Sequence, residues 1–129
     1  MTAEQAAWRP GRGRHAIWDL VLHAAYWKYA VRRMLTGEKQ GTFPLKGSNW
    51  FRQPAEATPK AWKAAIALLG AEHRKLLEAA ERLDPAAFWK KPHGSSRTTA
   101  NLLYGVASHD VYHTGQIQLL KRLWRDRQS

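Results

Sequence analysis

His109 and His113 are the residues whose type and spacing most directly suggest chemistry in this chain. They lie in Asn101-Leu-Leu-Tyr-Gly-Val-Ala-Ser-His-Asp-Val-Tyr-His-Thr-Gly-Gln-Ile-Gln-Leu-Leu120. Apolar residues recur there at Leu102, Val106, Ile117 and Leu120, the three-and-four spacing of one helical face, and both histidines fall on that face. Side chains four apart on a helix have Cβ atoms about 5–6 Å apart, close enough for two imidazoles to share one divalent ion. Two hydrogen-bonded core histidines would give the same pattern, so the pair alone leaves both readings open. A third nitrogen from another element is what would favour metal.

The elements that must position such a ligand follow from periodicity and stop signals. A first long helix is expected from about His15 to Thr36, ending at Gly37, with an apolar seam of Ile17, Leu20, Ala24, Trp27, Val31 and Met34. His23 projects from that seam between Leu20 and Trp27. Residues 37–58 form a long connection with three Gly and two Pro that closes on Asn49-Trp-Phe-Arg52. Loops of this length are often pocket walls, although Phe43, Trp50 and Phe51 could equally plug one end of a bundle. Thr58-Pro59 starts a second helix with a hydroxyl cap and a proline at the first position. Its expected seam is Trp62, Ile66, Leu69, His73, Leu76, Ala80 and Leu83, which makes His73 a candidate fourth ligand or substrate contact. Asp84-Pro85 ends it. After a Pro-, Gly- and Ser-containing loop, Thr98 or Thr99 caps a third long helix running to about Arg125. The fold class is all-α, a helix bundle with one domain over residues 1–129.

Composition narrows the function classes. The 129 residues are 44% apolar with seven Trp, which suits a packed core rather than a disordered chain. Zero Cys excludes disulfides, Cys-ligated zinc and a Cys nucleophile, and fits a reducing compartment. No apolar run approaches the ~20 residues of a membrane span and the first residues lack a signal layout, so the expected location is cytoplasmic. The net charge of +11 raises nucleic acid as a partner. Its basic residues are scattered, however, and no reading motif accompanies them, which disfavours that partner.

A weak internal repeat joins the pieces: Glu4-Gln-Ala-Ala-Trp-Arg-Pro10 echoes Pro85-Ala-Ala-Phe-Trp-Lys-Lys-Pro92. Each precedes a Gly-containing loop and then a helix with a seam histidine. Aligning the helices sets His23 on His109 and Trp27 on His113. Ile17-Trp-Asp-Leu-Val-Leu-His-Ala-Ala-Tyr-Trp27 and His109-Asp-Val-Tyr-His-Thr-Gly-Gln-Ile117, each behind its Trp-Pro lead-in, resemble the DinB/YfiT-like superfamily of metalloenzymes. The resemblance covers nearly the whole chain. It implies a four-helix bundle carrying a three-histidine divalent-metal site, and His23, His109 and His113 match that triad. Family members place a further long helix before the first lead-in, where this sequence has only a few residues, so three long helices are expected with the family's first missing or truncated. That would leave apolar seams uncovered and favour association, as a homodimer, over a stable monomer.

Three neutral imidazoles leave the ion its full charge and at least one open position, suited to Lewis-acid activation of water or a thiolate. All-nitrogen ligation suits zinc or nickel, with iron or copper also compatible. The resemblance adds a substrate class, since some relatives are transferases or isomerases that use a low-molecular-weight thiol; without Cys, any thiol here is a cosubstrate. Asp19, one turn before His23, could orient that imidazole or simply serve the helix start. Gln116, Asn101 and Tyr112 could contact a substrate or pack, and no residue is assigned a catalytic role. Two function classes stand: a metal-dependent enzyme of thiol-transfer or hydrolytic type, and a stress-related metal-binding protein without turnover.

Overall fold

A computed structural model of the protein describes residues 1–127. It contains α1 (Ala3–Ala7), α2 (Ile17–Thr36), α3 (Pro59–Glu81) and α4 (Thr99–Asp126), with one 3-10 turn at Pro85–Ala87. The architecture is the expected all-helical bundle with three long helices, and no strand occurs among the described residues. No described helix is long and apolar enough to cross a membrane.

The boundaries follow local chemistry. Thr58 and Thr98 each occupy an N-cap and accept from the backbone N–H three residues on, Ala61 and Asn101, both at 3.1 Å. Gly37 ends α2 in the left-handed conformation at φ 74°, and its N–H bonds the Arg33 carbonyl at 2.9 Å. The opening segment contains the one-turn helix α1, capped by Thr2 and burying Ala3 and Ala6. Two alanines against the core are enough to hold a turn that would be too short to persist alone.

α2 is the axis of the molecule. Residues 16–25 are all buried, because α3 packs on one side, α4 on another, and the segment after Gly37 closes a third. A helix covered all round can carry apolar residues all round, so its pattern is wider than one seam. Buried charges on it are paired: Lys28 with Asp110 of α4, and Arg32 with Glu38 and with Glu72 of α3, the last at 3.1 Å. These pairs fix the rotation of both neighbours, since a buried charge left single is strongly unfavourable.

That requirement corrects the expected seam of α3. The buried residues are Trp62, Ala65, Glu72 and Leu76, with Leu69 partly buried, whereas Ile66 and His73 are exposed. The helix is turned so that Glu72 reaches Arg32, and His73 is carried to solvent instead of toward α4.

Segment 37–58 is both a plug and a wall. Phe43 is buried, and Tyr26, Tyr29, Phe51, Leu45 and Leu69 pack around it. The Tyr29 hydroxyl accepts from the backbone N–H groups of Gly41 and Thr42 at 3.1 and 3.3 Å. With its near half anchored, the far half of the segment delivers Asn49 and Trp50 beside His23.

Candidate metal centre

The histidine of α2 and the pair on α4 converge. His109 Nε2 lies 3.0 Å from His23 Nε2 and 3.0 Å from His113 Nε2, and the three form a group whose donor atoms lie within 4.8 Å of one another. His23 and His113 are buried and His109 is half-buried. The triad assigned from the sequence is therefore brought to one point by residues 86 positions apart.

The partners of the outer nitrogens settle the tautomers. His23 Nδ1–H donates to the Asn49 carbonyl at 2.9 Å, and His113 Nδ1–H donates to Gln116 Oε1 at 2.6 Å. Each ring must carry its proton on Nδ1, so each presents an Nε2 lone pair to the common point. A proton on His109 Nε2 can satisfy one of these lone pairs only. His109 Nδ1, meanwhile, is buried with no hydrogen-bond partner. Whichever nitrogen of His109 carries its proton, at least one lone pair at the common point stays unmet and the buried Nδ1 behind it is orphaned, an unfavourable set for hydrogen bonds alone. A divalent ion suits it: nitrogens held at about 2.0–2.1 Å by one tetrahedral ion stand roughly 3.3 Å apart, a few tenths of an ångström wider than the two 3.0 Å separations His109 makes.

Stacking holds the rings in place. Trp50 lies parallel to His23, with centroids 3.9 Å apart and planes 5° from coincidence, and its indole is also stacked with His15 at 3.7 Å. Asn49 takes a left-handed φ of 64°, which aims its carbonyl at His23 while its side-chain oxygen accepts from Trp27 Nε1 at 2.9 Å. Asparagine is among the few residues that tolerate this conformation. Trp27, aligned with His113 by the repeat, thus braces the residue that orients His23, and its ring sits 6.3 Å from that of His109.

Asp19 does not orient His23. It is buried at the first turn of α2, where it accepts from Arg9 at 2.6 and 3.1 Å, from Ala16 N at 2.7 Å and from Gln53 Nε2 at 3.1 Å. Four donors saturate its two oxygens, so it locks the lead-in segment and the long connection to the start of α2. Gln116 does take the expected place beside His113, and its amide nitrogen reaches the Tyr112 hydroxyl at 3.4 Å. Tyr112 itself is exposed, Asn101 borders the neighbouring cavity, and His73 lies outside the cluster. The stretch Asn49–Arg52, expected as a pocket wall or a plug, is a wall at this site, whereas the part His15 takes in holding Trp50 carries no signal in the sequence.

Burial pushes His109 down to about 4, with the neighbouring rings of His113 and His23 adding to the effect, and burial also lowers His23. Both are therefore held neutral, the form that binds metal. The consequence for the metal-free chain has a definite sign. Between an unfolded value near 6.5 and a folded value of about 4, the unfolded chain binds the extra proton at His109. Acidification through that window should lower the melting temperature of chelator-treated protein, and His109→Ala should flatten the dependence. A melting temperature indifferent to pH in the wild type, or equally steep in the variant, would show that His109 is not buried as described.

A cavity of about 1080 Å³ opens against the triad, bordered by His23, His109, Trp27 and Val106 and, farther out, by Arg33 and Arg97.

Comparison with known proteins gives the family. No curated protein and no solved structure matches the chain. The family model described as the DinB superfamily matches residues 1–117, nearly the full length. With the helical bundle and the converging histidines both in place, that match identifies the chain as a member of the DinB superfamily.

Proposed function

We propose that the protein is a divalent-metal-dependent enzyme that acts on a small molecule by activating water or a low-molecular-weight thiol, with transfer of the thiol as the favoured reaction. The observation that carries the reading is the cavity of about 1080 Å³ bordered by two of the three candidate ligands. A site meant only to hold an ion is closed by protein, whereas a catalytic one keeps an open side. His23, His109 and His113 would hold the ion, and zinc or nickel suits three imidazoles best. The ion would supply Lewis acidity, favouring the deprotonated form of a thiol or water and so the nucleophile at neutral pH.

This chain's residues do the rest. Asn49 and Gln116 fix the imidazole tautomers, and Trp50 shields one ring face from water. Trp27, Val31 and Val106 give the cavity an apolar wall for the substrate body, while Arg33 and Arg97 offer donors to its anionic groups. In thiol transfer the S–H proton leaves to solvent, the sulfur forms a bond to the electrophilic carbon, and the leaving group departs with the electron pair of the broken bond.

The test is a screen of low-molecular-weight thiols with electrophilic acceptors, using protein loaded with zinc or nickel and following loss of free thiol. Turnover should require the metal and vanish in His109→Ala. Thiol consumption that is equal with and without metal would contradict the reading.

A further inference from the structure

Arg33 stands in the wall of the cavity without a partner. The residue is half-buried, and its Nε is fully buried with no hydrogen-bond acceptor. Among the described residues no carboxylate lies within ion-pair distance of Arg33, or of Arg97 on the same cavity. Glu38 is the one acid on the lining, and Arg32 and the Thr42 hydroxyl already claim its oxygens. The neighbouring cations of α2 are treated differently, since Lys28 and Arg32 each face an acid. A half-buried guanidinium left single costs stability, so it calls for an anion from outside the chain.

Both arginines lie far from the histidines and at the same end of the cavity. α2 and α4 run antiparallel: His23 meets His109, and Val31 packs with Leu102 and Val106. Arg33 follows His23 by ten residues on α2, and Arg97 directly precedes the cap of α4, twelve residues before His109. At 1.5 Å per helical residue these separations are about 15 and about 18 Å. Trp27, Val31, Met34, Leu102 and Val106 wall the stretch between. A compact thiol, with its charge a few bonds from sulfur, would reach one end only.

We propose that the molecule this cavity takes is long and two-ended: a thiol for the metal, an oxyanion for Arg33 and Arg97, and an apolar arm between them. The sulfur end rests on the function proposed above, whereas the arm and the anion rest on the cavity itself. An extended chain advances about 1.2 Å per bond, so about twelve bonds cover the distance along α2. The planar fork of arginine binds carboxylate and phosphate alike through two parallel hydrogen bonds, so the end group is an oxyanion of either kind. The apolar wall holds any arm of that length, and the guanidinium groups select the charged one.

Calorimetric titration of the full chain, metal-free and loaded with zinc, tests this with four probes. They are ω-mercaptoundecanoate, whose sulfur and carboxylate oxygen are about twelve bonds apart, the phosphonate of the same length, the neutral ω-mercaptoundecanol, and the short ω-mercaptopropionate. The long acid or the phosphonate should bind about tenfold or more tighter than the alcohol, as hydrogen bonds to a charged group imply, and tighter than the short acid by at least as much. Comparing the two long anions identifies the preferred oxyanion. Arg33→Gln should remove the advantage over the alcohol while leaving the alcohol's own affinity unchanged. Arg97→Gln should reduce it by a smaller factor, because Arg97 is exposed. Zinc should tighten every thiol in the wild type and in both variants. Equal affinity for the long anions and the alcohol overturns the proposal, as does an advantage that survives Arg33→Gln, or a short acid that binds as well as the long one. A preference for the long anion that zinc leaves unchanged would contradict the thiol reading and still uphold the anion at Arg33.

Discussion

His109→Ala is expected to abolish the rise in melting temperature that divalent metal gives the wild-type chain. Metal that binds only the native state stabilises it by about 2.7 kcal/mol at a hundredfold excess over the dissociation constant. For a domain of this length that corresponds to a shift of roughly 10 °C. His109 is the ligand whose loss should matter most, because its Nε2 stands 3.0 Å from each of the other two. Without it, His23 and His113 face each other across a gap with no nitrogen between them. The ring is only half-buried, so its removal leaves the bundle folded and the metal-free melting temperature serves as the control. Melting curves with and without added zinc or nickel make the comparison. An undiminished shift in the variant would remove His109 from the site.

The second large effect belongs to His23→Ala, which should weaken metal binding by more than tenfold, about 1.4 kcal/mol or above, with the fold intact. His109 and His113 are neighbours on one helix and would chelate weakly even in an isolated helical peptide. His23 comes from α2, so its contribution exists only when α2 and α4 are packed and segment 37–58 holds the ring through Asn49 and Trp50. Competition with a chelator of known affinity measures the change. Equal affinities for the wild type and His23→Ala would mean that the ion sits on α4 alone.

Much of this site was readable before the structure because its geometry is local. The four-residue step from His109 to His113 fixes their relation wherever the helix goes, and the caps at Thr58, Thr98 and Gly37 bound the helices that carry the ligands. The expected place of His23 also held, since it projects from a helix whose surroundings matched the family. What escaped depends on contacts between distant segments. The orienting group for His23 is a main-chain carbonyl, which any residue type could supply, so no spacing rule reveals it. Asp19 sits one turn from His23 and was a reasonable candidate, but Arg9, Ala16 and Gln53 claim its oxygens first.

The rotation of α3 failed for a related reason. Its pattern of Ala, Leu and Gly allows two adjacent faces to pass as apolar, and Ile66 and His73 made the wrong one look continuous. Glu72 decides the matter by pairing with Arg32, a residue on another helix whose burial the sequence does not declare. At the position the repeat sets on His113, Trp27 serves instead as a hydrogen-bond donor to Asn49, a role the alignment does not declare. The two lead-ins have diverged as well, Trp8 packing edge-on to Trp124 at 5.7 Å while Trp89 is exposed.

The central claim is that His23, His109 and His113 form one site for one divalent ion. Equilibrium dialysis of the chelator-treated chain against zinc and against nickel, with the bound metal quantified, tests it most directly. The wild type should bind one ion per chain at the strongest site, and the variant in which all three histidines are alanine should leave that site empty under the same conditions. Tight one-to-one binding that persists in the triple-alanine variant, or a wild type that takes up neither metal, would contradict the account.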